Sequence, residues 1–307
     1  MVSEGIPVYA INGEDNDTYY KHINFKNKII EKKQLKQSLG TDFYNIALYT
    51  EGGVLIHPGK LVRAMVDTLP NNINLYENSP LINWKKLGKK IECQFENNII
   101  NTNKIIFCAN GFLKSLNIKK RYNFPLTLTA SMTRQLDDEE FKSIGEPIEW
   151  GALPIRPMGA TIRFTKDRRL LIRNTAELKN PYSMNKGELK KRTILHLKGL
   201  IKRFPTLKKN LIESSWSGVV SRSGNSSQIF EKIDENIFVA GCYNGSGIGV
   251  GTLFGEQIAI LACNQQSNEI NLINNIKKPN WLPPQPFLNI GIYSRLAYER
   301  FKAKSEI

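Results

Sequence analysis

The sequence predicts an α/β chain, α+β overall, in which an open-sheet domain is interrupted by an inserted antiparallel layer. Three observations lead there. Short apolar runs at Lys104–Ala109 and Ile237–Ala240 each close on small or turn-forming residues, as strands of an open α/β sheet do. Between them, from Pro125 to Ser215, apolar and polar residues alternate as in half-exposed antiparallel strands. After the second run comes the stretch Gly245-Ser246-Gly247-Ile248-Gly249-Val250-Gly251, leading into a helical segment from about Thr252 to Ala262. Alternating glycines strip side chains from a turn, so its backbone can approach a flat or phosphorylated ligand. The helix behind it offers free N–H groups and a positive dipole end to an electron-rich atom.

Along the chain, residues 1–50 read as polar and irregular, except for a helical period at Ile29–Leu39 ended by Gly40. Gly52-Gly53 reads as a turn. Pro58 suits a first helical position, and Leu61, Val62, Met65, Val66 and Leu69 continue an apolar face until Pro70. Strands are expected at Ile73–Tyr76, Leu81–Trp84 and Ile91–Phe95, with Leu87-Gly88 punctuating the last two. The run at Lys104–Ala109 is expected to be buried on both faces and to present Asn110-Gly111 to a ligand at its end. Leu126–Met132 alternates. Thr161–Thr165 and Arg169–Arg173 flank Lys166-Asp167-Arg168 as a hairpin. A helix spans Asn185–Phe204 and stops at Pro205. The proline-rich stretch Pro279–Pro286 reads as an extended arm packed across its own domain, followed by a basic helix at Ile292–Lys304.

Composition sets limits. The chain has 307 residues, 41% of them hydrophobic, enough for one large domain or two. No apolar run approaches a membrane span, and the start shows no basic-then-apolar export leader. Cys93, Cys108, Cys242 and Cys263 form no C-x-x-C pair, which suits a reducing compartment and a cytoplasmic protein. The net charge is +15, but the basic residues lie in scattered groups that alternate with apolar ones. They read as solvated faces, so no nucleic-acid partner is expected; a basic nucleic-acid-binding protein is the alternative from another class. His22, His57 and His196 share no metal-ligand spacing, and no metal is expected. No G-x-G-x-x-G fingerprint and no phosphate-binding P-loop occurs in these residues.

Several stations, taken in order, resemble the D-amino-acid-oxidase-like family of FAD-dependent oxidoreductases. Ile56–Arg63 is similar to the helix start that follows a glycine turn in these enzymes, and Glu77-Asn78-Ser79-Pro80-Leu81 to their "E-x-[ST]-P-V" strand. Ile105–Gly111 resembles their strand ending in "A-[TN]-G", and Asp167–Leu170 their "D-G-R-L" hairpin. Trp216-Ser217-Gly218 resembles "W-x-G", and Gly245–Gly249 occupies the place of the terminal FAD loop. The Pro279–Pro286 stretch is similar to a subgroup resembling γ-glutamylputrescine oxidase.

The resemblance implies an incomplete FAD-binding Rossmann-like domain with an inserted antiparallel-sheet substrate domain. Its expected boundaries are 1–45 (partial substrate-domain or lid segment), 46–122 (FAD-binding domain, first part), 123–215 (substrate domain), 216–265 (FAD-binding domain, second part) and 266–307 (C-terminal arm). It implies FAD, held non-covalently because Trp216–Phe230 lacks the tethering cysteine of sarcosine-oxidase-like relatives. The implied reaction oxidises a C–N bond of an amine or amino acid by hydride transfer to flavin. Implied cofactor-binding residues are Pro80, Leu81, Ala109, Asn110, Gly111, Asn244, Gly245, Ser246, Gly247, Ile248 and Gly249. The amides of Ser246–Ile248 would face negative charge on the ring. Tyr243, Arg163 and Arg222 are implied substrate residues, with Arg156 a further basic candidate; no catalytic base is implied. Val220 stands where many amino-acid-specific relatives carry arginine, four residues after the tryptophan, which leaves amines open. The family's leading strand and G-x-G-x-x-G turn are not matched in this chain. A truncated enzyme, or a non-catalytic subunit completed by a partner chain that supplies the segment, is therefore expected.

Overall fold

A computed structural model describes residues 8–11, 27–50, 53–179 and 182–303. The expectations that involve His22, Lys26, Gly52 and Lys304 lie outside these residues. The chain forms two compact units: residues 1–62, 127–218 and 291–307, and residues 63–126 and 219–290. Residues 46–62, expected with the cofactor domain, thus fall in the first unit, and the expected arm is divided at residue 290.

The first unit is built on an eight-stranded sheet. In chain order its strands are β1 (Val8–Ile11), β2 (Asn27–Glu31), β3 (Ile46–Thr50), β8 (Phe124–Thr133), β9 (Trp150–Pro154), β10 (Thr161–Phe164), β11 (Leu170–Glu177) and β12 (Ile212–Arg222). They lie in the order β12-β8-β11-β10-β9-β1-β3-β2. The described pairings are antiparallel except β1 with β9. One face carries the core: Trp150, Ala152, Ile162, Phe164, Leu170 and Ile172 pack with Leu35, Leu39, Leu200 and Phe204. These last four come from helices α1 (Lys32–Leu39) and α4 (Lys186–Arg203) and from the α4 C-cap.

Side-chain chemistry fixes the helix ends. In α1 the Gly40 C-cap is left-handed at φ 72°, a conformation glycine adopts without a Cβ clash. Helix α3 (Asp138–Ser143) and α4 both start with capping boxes, Asp137/Glu140 and Asn185/Glu188. Arg134 grips the buried Glu140 carboxylate with two bonds, at 2.7 and 2.8 Å. Arg203, also buried, donates to the Tyr44 hydroxyl and to the Gly199 carbonyl.

The second unit holds two small sheets. β7 (Ile105–Phe107) and β14 (Ile237–Gly241) are parallel, and β13 (Ile229–Asp234) is antiparallel on the far side of β14. β4 (Asn83–Leu87), β5 (Lys90–Gln94) and β6 (Ile99–Thr102) form an antiparallel meander. β14 is buried throughout because its alternate residues enter two cores. Ile237 and Val239 join Ile91, Phe107 and Leu113; Phe238 and Ala240 join Phe254 and Ile258 of helix α5 (Gly249–Ala262). Helix α6 (Asn268–Asn275) contributes Ile270 and Ile273 to the second core. The stretch at 279–282 lies along this unit: the Leu282 N–H donates to the Arg121 carbonyl, and Trp281 sits under the Arg121 guanidinium.

Several expectations are corrected. The described residues before Thr50 are not irregular, since β1, β2 and β3 all enter the large sheet. The helical period at Ile29–Leu39 divides: Ile29 and Ile30 pair with Leu48 and Ala47, and the helix begins only at Lys32. Ile73–Tyr76 forms no strand, for no neighbouring strand pairs with it. β7 is shorter than expected and is not buried on both faces; Ile106 is 39% exposed, because α5 packs chiefly over β14. The basic helix begins earlier, as α7 (Phe287–Lys302). Helix α2 (Pro58–Asp67) forms as read, with His57 Nδ1 accepting from the Lys60 N–H, but none of its residues is buried. No helix among the described residues is long and apolar enough to cross a membrane.

His196 is fully buried in α4 and shares a 2.7 Å hydrogen bond between its Nδ1 and the Ser131 hydroxyl. Burial, with Arg192 and Arg173 adding repulsion, pushes its pKa from 6.5 down to about 4. The folded protein therefore keeps the ring neutral where the unfolded chain would protonate it. Stability should be level above pH 6.5 and fall as pH drops from 6.5 towards 4, by about 3 kcal/mol in all. Thermal melts of wild type and His196→Gln across that window check this; the variant should lose most of the slope.

Candidate functional site

The site grows from the end of β14. At Gly241 an added Cβ would meet Leu113 Cδ1 at 2.7 Å and the Asn110 backbone at 3.3 Å, so only glycine lets the ends of β7 and β14 come this close. Beyond it the backbone turns sharply, with left-handed φ at Cys242 (56°), Asn244 (53°) and Gly245 (100°). One side chain fixes this path. Asn244 Oδ1 accepts from the Ser223 N–H at 2.9 Å, while its Nδ2 donates to the Ser227 and Cys242 carbonyls at 3.0 and 2.9 Å. Its own N–H donates to the Ser221 carbonyl, and Arg222 Nη1 donates to its carbonyl at 2.8 Å.

Held there, the chain enters α5 without a cap. The N-cap is Ile248, whose side chain has no acceptor to offer, and the first turn has no acidic residue. The Ser246 N–H is already donated to the Tyr243 carbonyl. The expectation of free amides from Ser246 to Ile248 is therefore corrected by one residue. Among the described residues no acceptor is recorded for the N–H groups of Gly247, Ile248 and Gly249; the helix ladder begins with Val250, Gly251 and Thr252. A Cβ built on Gly249 would touch nothing within 4 Å. Space at an exposed glycine turn, beside three unmet donors, fits the flat, electron-rich edge of a ring such as isoalloxazine.

The end of β7 adjoins this turn. Ala109 caps a 3-10 helix at Asn110–Leu116, and Asn110, left-handed at φ 41°, accepts from the Tyr243 N–H at 3.3 Å. Gly111 is buried, with Val219 Cγ1 only 2.8 Å from where its Cβ would lie. Leu81 is partly buried against the cluster of Phe107, Leu113 and Cys242, while Pro80 before it is exposed. Ala109, Asn110, Gly111 and Asn244–Gly249 thus converge on two neighbouring strand ends.

The three expected substrate residues fare differently. The Tyr243 ring is 8% exposed and packs edge-on to Phe254, 6.0 Å between centroids, and near Gly251; burial, then Cys108, raises its pKa to about 12. It works as a floor under the turn and stays protonated. Arg222 is bound to the Asn244 carbonyl and serves the turn. Arg163 lies in the first unit, half-buried on β10, while Arg156 is exposed. Sequence reasoning missed Arg173 on β11, half-buried on the same face as Arg163; the hairpin register was the signal that places it there.

A glycine turn at parallel strand ends, backed by an uncapped helix, is an arrangement suited to an electron-rich ligand edge. The family model described as DAO, FAD dependent oxidoreductase, matches residues 11–261, and the chain belongs to that family. A curated relative, "Probable oxidoreductase OrdL" of Haemophilus influenzae, is 23% identical over 250 residues. That match covers 78% of this chain and 55% of the relative, so the chain spans about half the length of that protein. Among solved structures, glycine oxidase from Geobacillus kaustophilus superposes with a TM-score of 0.69 at 15% identity, covering 86% of this chain and 72% of the other. L-amino acid deaminase from Proteus myxofaciens, in complex with anthranilate, gives 0.68 at 13%, covering 90% and 76%. These likenesses show a shared mixed α/β fold.

Two stability changes follow from the turn. Asn244→Ala removes three side-chain bonds at a left-handed position and should destabilise the protein by about 3 kcal/mol, read by urea unfolding. Gly255→Ala, inside α5 with nothing within 4 Å of the new methyl, should stabilise it by about 0.5–1 kcal/mol in the same assay.

Proposed function

We propose that this chain binds FAD non-covalently at the strand ends around Asn110 and Gly245–Gly249, and serves the oxidation of a C–N bond in an amine or amino acid. The observation that carries the reading is the open, uncapped start of α5 beside Gly249. Family membership supports the cofactor, and relatives named for glycine and L-amino acids support the substrate class. When bound, the flavin supplies the hydride acceptor.

The chain's own residues have positional and electrostatic roles. The N–H groups of Gly247, Ile248 and Gly249 would hold the electron-rich edge of the ring, and the helix end would reinforce them. Asn110 holds the Tyr243 N–H and, with Ala109 and Gly111, offers a side wall of small residues. Pro80 and Leu81 would hold the adenine end of the cofactor, as the resemblance of Glu77–Leu81 to the family's strand suggests. Tyr243 closes the floor and keeps water from below, and Arg163 serves the substrate's acidic group. The four free cysteines support a reducing, cytoplasmic setting. The Pro279–Pro286 stretch supports placement near the γ-glutamylputrescine-oxidase-like subgroup.

A second reading is favoured by one region. α2 has no buried residue, with Val62 and Met65 about half exposed; Ile106 is exposed on β7, which forms one edge of its sheet. An apolar helix face and an open parallel-strand edge suit the addition of a further strand–turn–helix segment, on the same or a separate polypeptide, which would complete the dinucleotide site.

Titration of the purified chain with FAD, followed by quenching of flavin fluorescence, tests the first reading. Wild type should bind, and Gly249→Leu should bind at least tenfold more weakly at unchanged stability. Wild type and variant binding alike would refute the site. Under the second reading the chain stays colourless alone and turns yellow when co-expressed with a strand–G-x-G-x-x-G–helix segment. Failure to take up flavin in either setting would refute both.

A further inference from the structure

The loop that anchors Asn244 is itself held from outside. Residues 223–228 join β12 to β13, and Asn244 draws on both ends of this loop, accepting from the Ser223 N–H and donating to the Ser227 carbonyl. Ser223 and Ser227 are buried, and the Ser223 hydroxyl closes the loop onto the Ser227 carbonyl at 2.8 Å. The tip between them, Gly224-Asn225-Ser226, is exposed. Exposed loop tips open readily unless something ties them down. Here the tie is the extended stretch that follows α6.

Asn225 reaches that stretch with both of its side-chain polar atoms. Its Nδ2 donates to the Lys278 carbonyl at 2.9 Å, and its Oδ1 accepts from the Asn280 N–H at 3.3 Å. The same Oδ1 accepts from the Ser227 N–H at 3.4 Å, so one side chain joins the stretch to the loop's buried end. Beside it, the Asn280 side chain lies against Gly224. A Cβ on Gly224 would stand 2.6 Å from Asn280 Oδ1, 3.0 Å from its Nδ2 and 3.1 Å from Leu282 Cδ2. Gly224 is not among the glycines with positive φ, so lack of space, not backbone conformation, excludes a side chain there. Leu282 pins the far end: it is 5% exposed, and its N–H donates to the Arg121 carbonyl at 2.7 Å. Pro279 and Pro283 restrict the backbone on either side, which lowers the entropy lost when the stretch docks.

We infer that residues 278–282 clamp the glycine turn, with Asn225 as the positioning residue that transmits their hold. The contacts run from Leu282 and Asn280 through Gly224 and Asn225 to Ser223 and Ser227, and from those two serines to Asn244. Asn225 acts through the loop, by keeping it in the shape that satisfies the Asn244 amide. Asn244 in turn keeps the N–H groups of Gly247, Ile248 and Gly249 in place. The clamp's value to the protein rests on the reading of that turn as a flavin site; a turn fixed in advance loses less freedom when the ring binds.

Amide hydrogen exchange of the full chain without flavin, read by NMR, tests the clamp. Asn225→Ala should speed exchange of the Ser223 and Asn244 N–H groups about tenfold and leave the buried β14 amides at the wild-type rate. Gly224→Ala should loosen the same two N–H groups by crowding Asn280. Adding Asn280→Ala to Gly224→Ala removes two of the three close contacts and should restore both groups towards wild type. FAD titration of the same proteins should follow the same order, with Asn225→Ala and Gly224→Ala binding about fivefold more weakly than wild type and the double variant recovering. Unchanged exchange at Ser223 and Asn244 in Asn225→Ala, equal acceleration in β14, or a double variant as loose as Gly224→Ala overturns the inference. So does undiminished FAD affinity in a variant whose turn has loosened. A wild type that takes up no flavin, with the exchange pattern as expected, would sink the cofactor reading and leave the clamp standing.

Discussion

The turn after β14 is held by one side chain, and the rest of the site depends on it. Asn244 ties together carbonyls and an N–H from Ser223, Ser227 and Cys242, in a backbone conformation that most residues avoid. Because the turn is fixed from behind, nothing on its outer side has to cap α5. Most helices meet their first N–H groups with a serine, threonine or aspartate. Here an isoleucine occupies that position and three amides stay open. The architecture separates two tasks that a single capping residue would otherwise combine: fixing the turn and satisfying the helix end.

The buried strand beneath gives this turn its rigidity. β14 enters apolar clusters on both faces, so its last residue cannot shift without disturbing two cores. Gly241 lets Asn110 approach, which brings the end of the parallel neighbour to the same place. Ligand sites at adjoining ends of parallel strands are a general property of open α/β sheets. In this protein the adjoining ends of β7 and β14 belong to a sheet of only three described strands.

Much of this was legible in the sequence, because it is local. The glycine alternation, the apolar run at Ile237–Ala240 and the hairpin around Lys166–Arg168 each declare themselves within a few residues. What escaped depends on distant partners. Ile29 and Ile30 fit a helical period, yet β3 recruits them as a strand. Ile73–Tyr76 has strand-like residues but finds no neighbour to pair with. The Ser246 amide looked free until the turn closed it onto the Tyr243 carbonyl. Arg173 was hidden for another reason: its place on the same face as Arg163 comes from the register of β10 against β11, which composition does not reveal.

The proposed flavin site depends on the open amides at the start of α5. Backbone amide NMR during an FAD titration tests it most directly. Gly247, Ile248 and Gly249 should shift and become protected from exchange, while Ser246, already bonded within the turn, should change least. Equal response at Ser246, or silence at all four while flavin binds elsewhere, would contradict the account.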